Sequence, residues 1–219
     1  MLNLPEDIVR CRNAKILKHQ KNASGILHLG AHTGQERATY IALGKPVVWV
    51  EANPEIFKLL QSNIAPIPDQ TALCALLGEN DGAHLEFHIS NNTQGVSSSI
   101  YPFGKYATGE KSLWPELDLK MVSSMTLPTA RLDTLLDTND IQPEDYDFWI
   151  LDLQGSEMHA LAGAERCLKY CNSLLIEVSD LEIYCGAPLY KDLKHYLSAK
   201  GFSPSWEPHL PHDDVLFVR

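Results

Sequence analysis

No stretch of this 219-residue sequence reaches 18 consecutive apolar residues, so no segment is long enough to cross a bilayer as a helix, and no membrane span is expected. The opening residues, Met1-Leu2-Asn3-Leu4-Pro5-Glu6, carry neither the basic nor the apolar portion of a secretion signal, and the expected location is the cytoplasm. Cysteine is sparse and odd in number. Cys11, Cys74, Cys167, Cys171 and Cys185 include no CxxC pair, which argues against a disulfide framework or a zinc site and for reduced core residues. Positive charge is short as well: 18 Lys and Arg against 28 Asp and Glu leave a formal charge of −10, the wrong sign for gripping a phosphate backbone, so no nucleic-acid partner is expected. The one basic run, Lys15 to Lys21, reads as a solvated helix end.

What is present is a chain that is 44% hydrophobic, with no repeat or low-complexity tract, large enough to bury one core. Apolar runs predict strands at 25–30, 46–51, 70–76, 146–152 and 173–179, and helical periodicity predicts helices at 5–19, 35–43, 54–63, 157–169 and 189–200. Four of the strands are apolar almost throughout, as strands covered on both faces must be, which points to a parallel α/β sheet between helical layers. Phe202 to Trp206 and Val215 to Val218 read as a closing antiparallel hairpin. The organisation expected is an N-terminal helical extension at 1–24 and a catalytic domain at 25–219, with a Ser-, Gly- and aromatic-rich insertion on the substrate side at about 91–125. The apolar face of the first helix (Leu4, Ile8, Cys11) has to dock on its own domain or on a second subunit, so a monomer or a homodimer is expected.

Two clusters carry the chemistry. In Ile26-Leu27-His28-Leu29-Gly30-Ala31-His32-Thr33-Gly34-Gln35 an apolar strand runs into a glycine turn, and a second strand, Val47-Val48-Trp49-Val50-Glu51, ends in an acid about twenty residues after the turn. That is the layout of a nucleoside-binding βαβ unit, with the acid placed to accept hydrogen bonds from ribose hydroxyls. The middle glycine of GxGxxG, which lets a backbone approach a pyrophosphate, is missing, so a nucleoside cofactor without phosphates fits better than a dinucleotide. In the second cluster, Asp152-Leu153-Gln154-Gly155-Ser156-Glu157 follows a strand whose carboxyl end opens onto the same crevice.

These clusters, together with Ser97-Ser98-Ser99-Ile100, Arg131-Leu132-Asp133-Thr134-Leu135-Leu136, Leu161-Ala162-Gly163-Ala164, Glu177-Val178-Ser179, Tyr184-Cys185-Gly186 and Gly201-Phe202, make the chain resemble the FkbM family of S-adenosylmethionine-dependent methyltransferases over about residues 25–219. The resemblance implies a class I methyltransferase fold. This is a Rossmann-like α/β three-layer sandwich whose seven-stranded, mostly parallel sheet has an antiparallel last strand. It implies O-methylation, with S-adenosylmethionine as cofactor and a hydroxyl of a saccharide, glycolipid precursor or secondary metabolite as acceptor. By carry-over, His28, Gly30, Ala31, His32, Gly34 and Gln35 line the methionine side of the cofactor. Glu51 and Ala52 hold its ribose, Leu76 and Leu77 its adenine, and Asp152 faces its reacting end. His28 stands where the family commonly has Asp, and His32 where Asn is commoner.

A protonated hydroxyl is a poor nucleophile, so a base is needed; Asp152 is the first candidate and Glu177 the second, with His159, His209 and His212 as outsiders. Ser97, Ser98, Ser99, Tyr101, Gln154 and Tyr184 are the candidate acceptor contacts, and Phe103, Tyr106 and Trp114 offer further aromatic surface. His212-Asp213-Asp214 has hard ligands but no spaced partner set, and no metal is assigned. Two other functions stay open at this point: a nicotinamide-dependent oxidoreductase, and a cofactor-binding scaffold without catalysis.

Overall fold

The structure, a computed structural model, describes residues 4–219. In chain order its elements are α1 (Glu6–Asn22), β1 (Ile26–Leu29), α2 (Arg37–Leu43), β2 (Val47–Glu51), α3 (Pro54–Ile64), β3 (Gln70–Cys74), β4 (Leu76–Leu77), β5 (His84–Ser90), β6 (Met121–Ala130), α4 (Leu132–Thr138), β7 (Phe148–Leu151), α5 (Glu157–Ala162), β8 (Ser173–Ser179), α6 (Tyr190–Ala199), β9 (Ser203–Pro204) and β10 (His212–Val218). The main sheet has seven strands in the order β3-β2-β1-β7-β8-β10-β9; β10 runs antiparallel to both neighbours and the remaining pairs are parallel. The expected α/β sandwich with an antiparallel final strand is therefore the fold observed.

Strand alternation splits the core in two. Leu27, Leu29, Val48, Val50, Trp149 and Leu151 pack under α4, α5 and α6, whereas Ile26, Val47, Trp49, Phe148 and Ile150 face Tyr40 of α2 and Leu60 and Ile64 of α3. Every residue of β1, β2 and β7 is buried, which is why these strands read as continuous apolar runs. Leu29 at the end of β1 pairs with Val50 on one side and Leu151 on the other, so the carboxyl ends of β1, β2 and β7 open side by side.

Several boundaries differ from expectation. A second sheet, β4-β6-β5, and helix α4 carry no strong pattern: β6 is Met-Val-Ser-Ser-Met-Thr-Leu-Pro-Thr-Ala and half-solvated for most of its length. The segment expected as an insertion at about 91–125 is a loop with three short 3₁₀ turns as far as Lys120, and Met121 to Met125 belong to β6, paired with β5. The helix expected over 157–169 stops at Ala162, and the Gly163 that follows lies against the Gly78 backbone, where a Cβ would sit 2.1 Å from the carbonyl oxygen. β9 is only two residues long, ending at Pro204, which has no N–H for a ladder. Cys167 and Cys171 are core residues, but Cys11, Cys74 and Cys185 are exposed, correcting the expectation of core residues: Cys74 ends the edge strand β3, and Cys11 lies on the solvated side of α1.

Helix α1 docks on its own domain largely through polar contacts. Arg12 is buried, forms two hydrogen bonds to the Asp213 carboxylate at 2.8 and 3.0 Å, and covers the Trp206 ring at 5.0 Å. No helix among the described residues is long and apolar enough to cross a membrane.

Candidate active site

The first half of the site grows out of the β1–α2 turn. Gly30 and Ala31 both donate backbone hydrogen bonds to the Val50 carbonyl at 2.9 and 3.0 Å, which folds the turn back over the end of β2. Gly30 has φ +86°, and a Cβ there would lie 1.8 Å from the Asp152 carbonyl oxygen, so only glycine lets the turn press against the chain leaving β7. Glu51 is buried at the end of β2, where its two carboxylate oxygens accept the backbone N–H of His32 at 2.9 Å and of Asn53 at 2.7 Å. Burial pushes its pKa up, and these amides oppose the shift. Asn53 then caps α3, accepting the Glu55 N–H at 3.0 Å, with Pro54 in the first turn.

The cleft beyond this turn is lined by His28, Gly30, Ala31, His32, Gln35, Glu51, Ala52, Leu76, Leu77 and Asp152, all expected there, and its apolar wall is completed by Ile56 and Phe87. Gly34 is not part of it. Its α-carbon faces the core, where a Cβ would meet Leu60 at 2.9 Å, so this glycine serves helix packing rather than the cleft. Burial drives the His28 pKa down to about 3, so the ring is neutral and its 4.0 Å approach to Glu36 is no ion pair. It stacks on Trp49 at 5.0 Å and shares a 3.1 Å hydrogen bond with Tyr40. His32 has φ +45°, its Nε2 lies 3.4 Å from the Gln94 carbonyl, and its Nδ1 is buried without a hydrogen-bond partner among the described residues.

The second half converges from remote parts of the chain. Gln154, in a left-handed conformation at φ +54°, lies at the centre. Its amide NH₂ donates to Asp152 and, at 2.8 Å, to Glu177 of β8, and its amide oxygen accepts from the Tyr184 hydroxyl. His212, the first residue of β10, sits 3.0 Å from the other Glu177 oxygen and 2.8 Å from the Ser179 hydroxyl. Burial alone would raise the Glu177 pKa, but the His212 charge and the side-chain hydrogen bonds from His212 and Asp152 together hold the group below its ordinary value. For His212 burial pulls downward, and Glu177 overcomes it to lift the pKa to about 9. Asp152 is pushed well above the carboxylate range by burial and by the Glu177 charge. Glu157 is raised to about 7, again by burial first, while accepting the Leu153 and Gly155 amides at 2.9 and 3.2 Å.

Asp152, Gln154, Glu177, Tyr184 and Ser97 line a cavity that adjoins the first cleft, with Asp152 and Gln154 in the wall of both. Ser98 turns into the first cleft, its hydroxyl donating to Gly95 O at 2.6 Å and accepting the Ser90 N–H at 3.1 Å. Ser99 and Tyr101 line neither: the Ser99 hydroxyl donates to the Gln154 carbonyl at 2.7 Å, fastening the insertion to the turn after β7, and Tyr101 pairs with His159 at 3.0 Å. His209 engages Arg12. The side chains of 212–214 diverge, His212 to Glu177 and Asp213 to Arg12. Sequence reasoning underrated His212, whose only signal was position, opening the strand that pairs with Glu177's strand. It missed Phe87 altogether because β5 had not been foreseen.

A sheet of this order, with its cleft at the carboxyl ends of the parallel strands, is the class I methyltransferase fold. The family model for the methyltransferase FkbM domain matches residues 28–204, and the chain belongs to that family. Among solved structures, the O-methyltransferase from Bacillus cereus in complex with SAH superposes with a TM-score of 0.50 at 14% identity, over 99% of this chain and 83% of that one. The magnesium protoporphyrin IX methyltransferase from Synechocystis PCC 6803 with bound S-adenosylmethionine gives 0.47 at 11% identity, over 100% and 85%. No curated protein sequence matches the chain.

Proposed function

We propose that the chain transfers a methyl group from S-adenosylmethionine to a hydroxyl of a small polyhydroxylated acceptor, such as a saccharide, a glycolipid precursor or a secondary metabolite. The observation that carries this reading is the shared wall: Asp152 and Gln154 line both the Glu51 cleft and the adjoining cavity, so a donor and an acceptor can meet at one carboxylate. The cleft suits the donor. Glu51 keeps free lone pairs for ribose hydroxyls, and Leu76, Leu77 and Phe87 offer an apolar slot for a purine.

When bound, the donor supplies a methyl carbon for in-line displacement, leaving positioning and proton removal to the protein. Asp152, in the wall of both spaces, takes the proton from the hydroxyl, whereas Glu177 is engaged by His212 at 3.0 Å. The Gln154 amide holds the two carboxylates apart and in fixed orientation, and Tyr184 fixes the amide.

The test is label transfer from tritiated S-adenosylmethionine to a panel of hydroxyl, amine and carboxylate acceptors. An alkali-stable methyl ether is expected. Label on nitrogen would overturn O-methylation, label in an alkali-labile methyl ester would mark a carboxylate oxygen and overturn the hydroxyl reading, and cofactor binding with no transfer to any acceptor would favour a scaffold.

A further inference from the structure

The inner cavity shares its outer wall with a second space. Phe103, Trp114 and Leu119 line the cavity on one side and also line a wider groove on the outside, whose far wall includes Thr108 and Lys120. The inner cavity measures about 210 Å³ and the outer groove about 550 Å³. The first alone is smaller than the roughly 300–1,000 Å³ of ordinary ligand pockets, and the groove brings the site into that range.

We propose that the outer groove is a second acceptor subsite, which takes the neighbouring rings of a neutral oligosaccharide while its terminal ring is methylated in the inner cavity. This rests on the O-methyltransferase reading above.

Charge argues against an acidic chain. Lys120 is the sole cation among the described residues lining the groove, and Asp118 occupies it at 2.6 Å; in the inner cavity His212 is held by Glu177. An anionic acceptor would meet Glu177 with no unpaired cation in the lining to offset it, so an acidic chain is disfavoured and a neutral one is accommodated.

Surface chemistry points the same way. Trp114 and Phe103 are half-buried and line both spaces, with Phe103 against the Tyr184 ring at 5.6 Å. Trp114 is fixed by its backbone N–H donating to the Ser112 hydroxyl at 3.0 Å and by an edge-to-face contact with His212 at 5.4 Å. Half-exposed aromatic faces held by a rigid frame suit the apolar face of a sugar ring. The frame is preformed: Ala107, Ile183 and Tyr184 make a small core of their own, and the Gly104 N–H donates to the Ile183 carbonyl at 2.7 Å. Tyr184 belongs to that core and also bonds Gln154, so the groove is built onto the reaction centre.

The experiment measures affinities of neutral malto-, cello- and rhamno-oligosaccharides of one to four rings by saturation-transfer NMR on the protein saturated with S-adenosylhomocysteine. At least one series is expected to gain tenfold or more between one ring and three, and Thr108→Trp, which fills the groove, to remove that gain. S-adenosylhomocysteine affinity of the variant within twofold of the parent establishes that it is folded. Equal affinity for one and three rings in every series, no saccharide binding at all, or a gain that survives Thr108→Trp overturns the subsite. Failure of the underlying reading would look different: the protein would not bind S-adenosylhomocysteine, or would methylate nitrogen.

Discussion

The half of the cleft around Glu51 is assembled from backbone, the half around Asp152 from side chains. In the first, a turn and two strand ends within residues 28–53 aim amides at one carboxylate, and every partner is near in sequence. In the second, Asp152, Gln154, Glu177, Tyr184 and His212 come from four separate segments and hold one another in a chain of hydrogen bonds. A backbone-built site is as rigid as the sheet that carries it. A buried side-chain network depends on every member being satisfied, and its electrostatics change when one is lost.

Both halves meet at Gly30, so the largest effect is expected there. Gly30→Ala forces a Cβ into the Asp152 carbonyl at a φ of +86° and should destabilise the fold by at least about 3 kcal/mol, lowering Tm by roughly 6–12 °C in a thermal melt. Unchanged Tm would show that the two halves are not pressed together as described.

Asp152→Asn separates the halves. Label transfer to the acceptor is expected to fall by about 10²–10⁴-fold, the usual contribution of a general base. Should the rate stay within threefold, the proton goes elsewhere and Glu177→Gln becomes the variant to measure.

The smallest effect is a pH dependence confined to the side-chain half. His212 has its pKa raised from 6.5 to about 9 in the folded state, so the stability it contributes is fully present below pH 6.5 and is lost as pH rises through about 9; it amounts to at most about 3 kcal/mol. Glu157, raised from 4.5 to about 7, penalises folding as it ionises and so lowers stability mainly over the preceding pH range. Melts from pH 7 to 10 should therefore show a decline in the parent that His212→Gln flattens. A parallel decline in both would remove the ion pair from the account.

The same contrast explains what was legible in the sequence. β1, β2 and β7 announce themselves because burial on both faces leaves almost only apolar residues, β8 through its Leu174-Leu175-Ile176 run, and the turn with Glu51 could be read because its parts are contiguous. β5 and β6 are half-solvated and separated by a thirty-residue loop, so neither alternation nor a hairpin turn marks them, and Phe87 went unseen with them. Gly34 looked like a cofactor glycine since spacing cannot say which way a turn faces; the packing of α3 decides it. His212 looked ordinary because its meaning lies in the antiparallel register that sets Asp214 opposite Glu177 and brings the imidazole to that carboxylate.

The central claim is that donor binding belongs to the Glu51 half and proton removal to the Asp152 half. Isothermal titration of S-adenosylhomocysteine into Glu51→Ala and Asp152→Asn, each with a parental circular dichroism spectrum, tests it directly. Glu51→Ala is expected to lose about 100-fold in affinity, the equivalent of one or two charge-assisted hydrogen bonds, while Asp152→Asn stays within a few-fold of the parent. Parental affinity in Glu51→Ala, or the larger loss in Asp152→Asn, would contradict it.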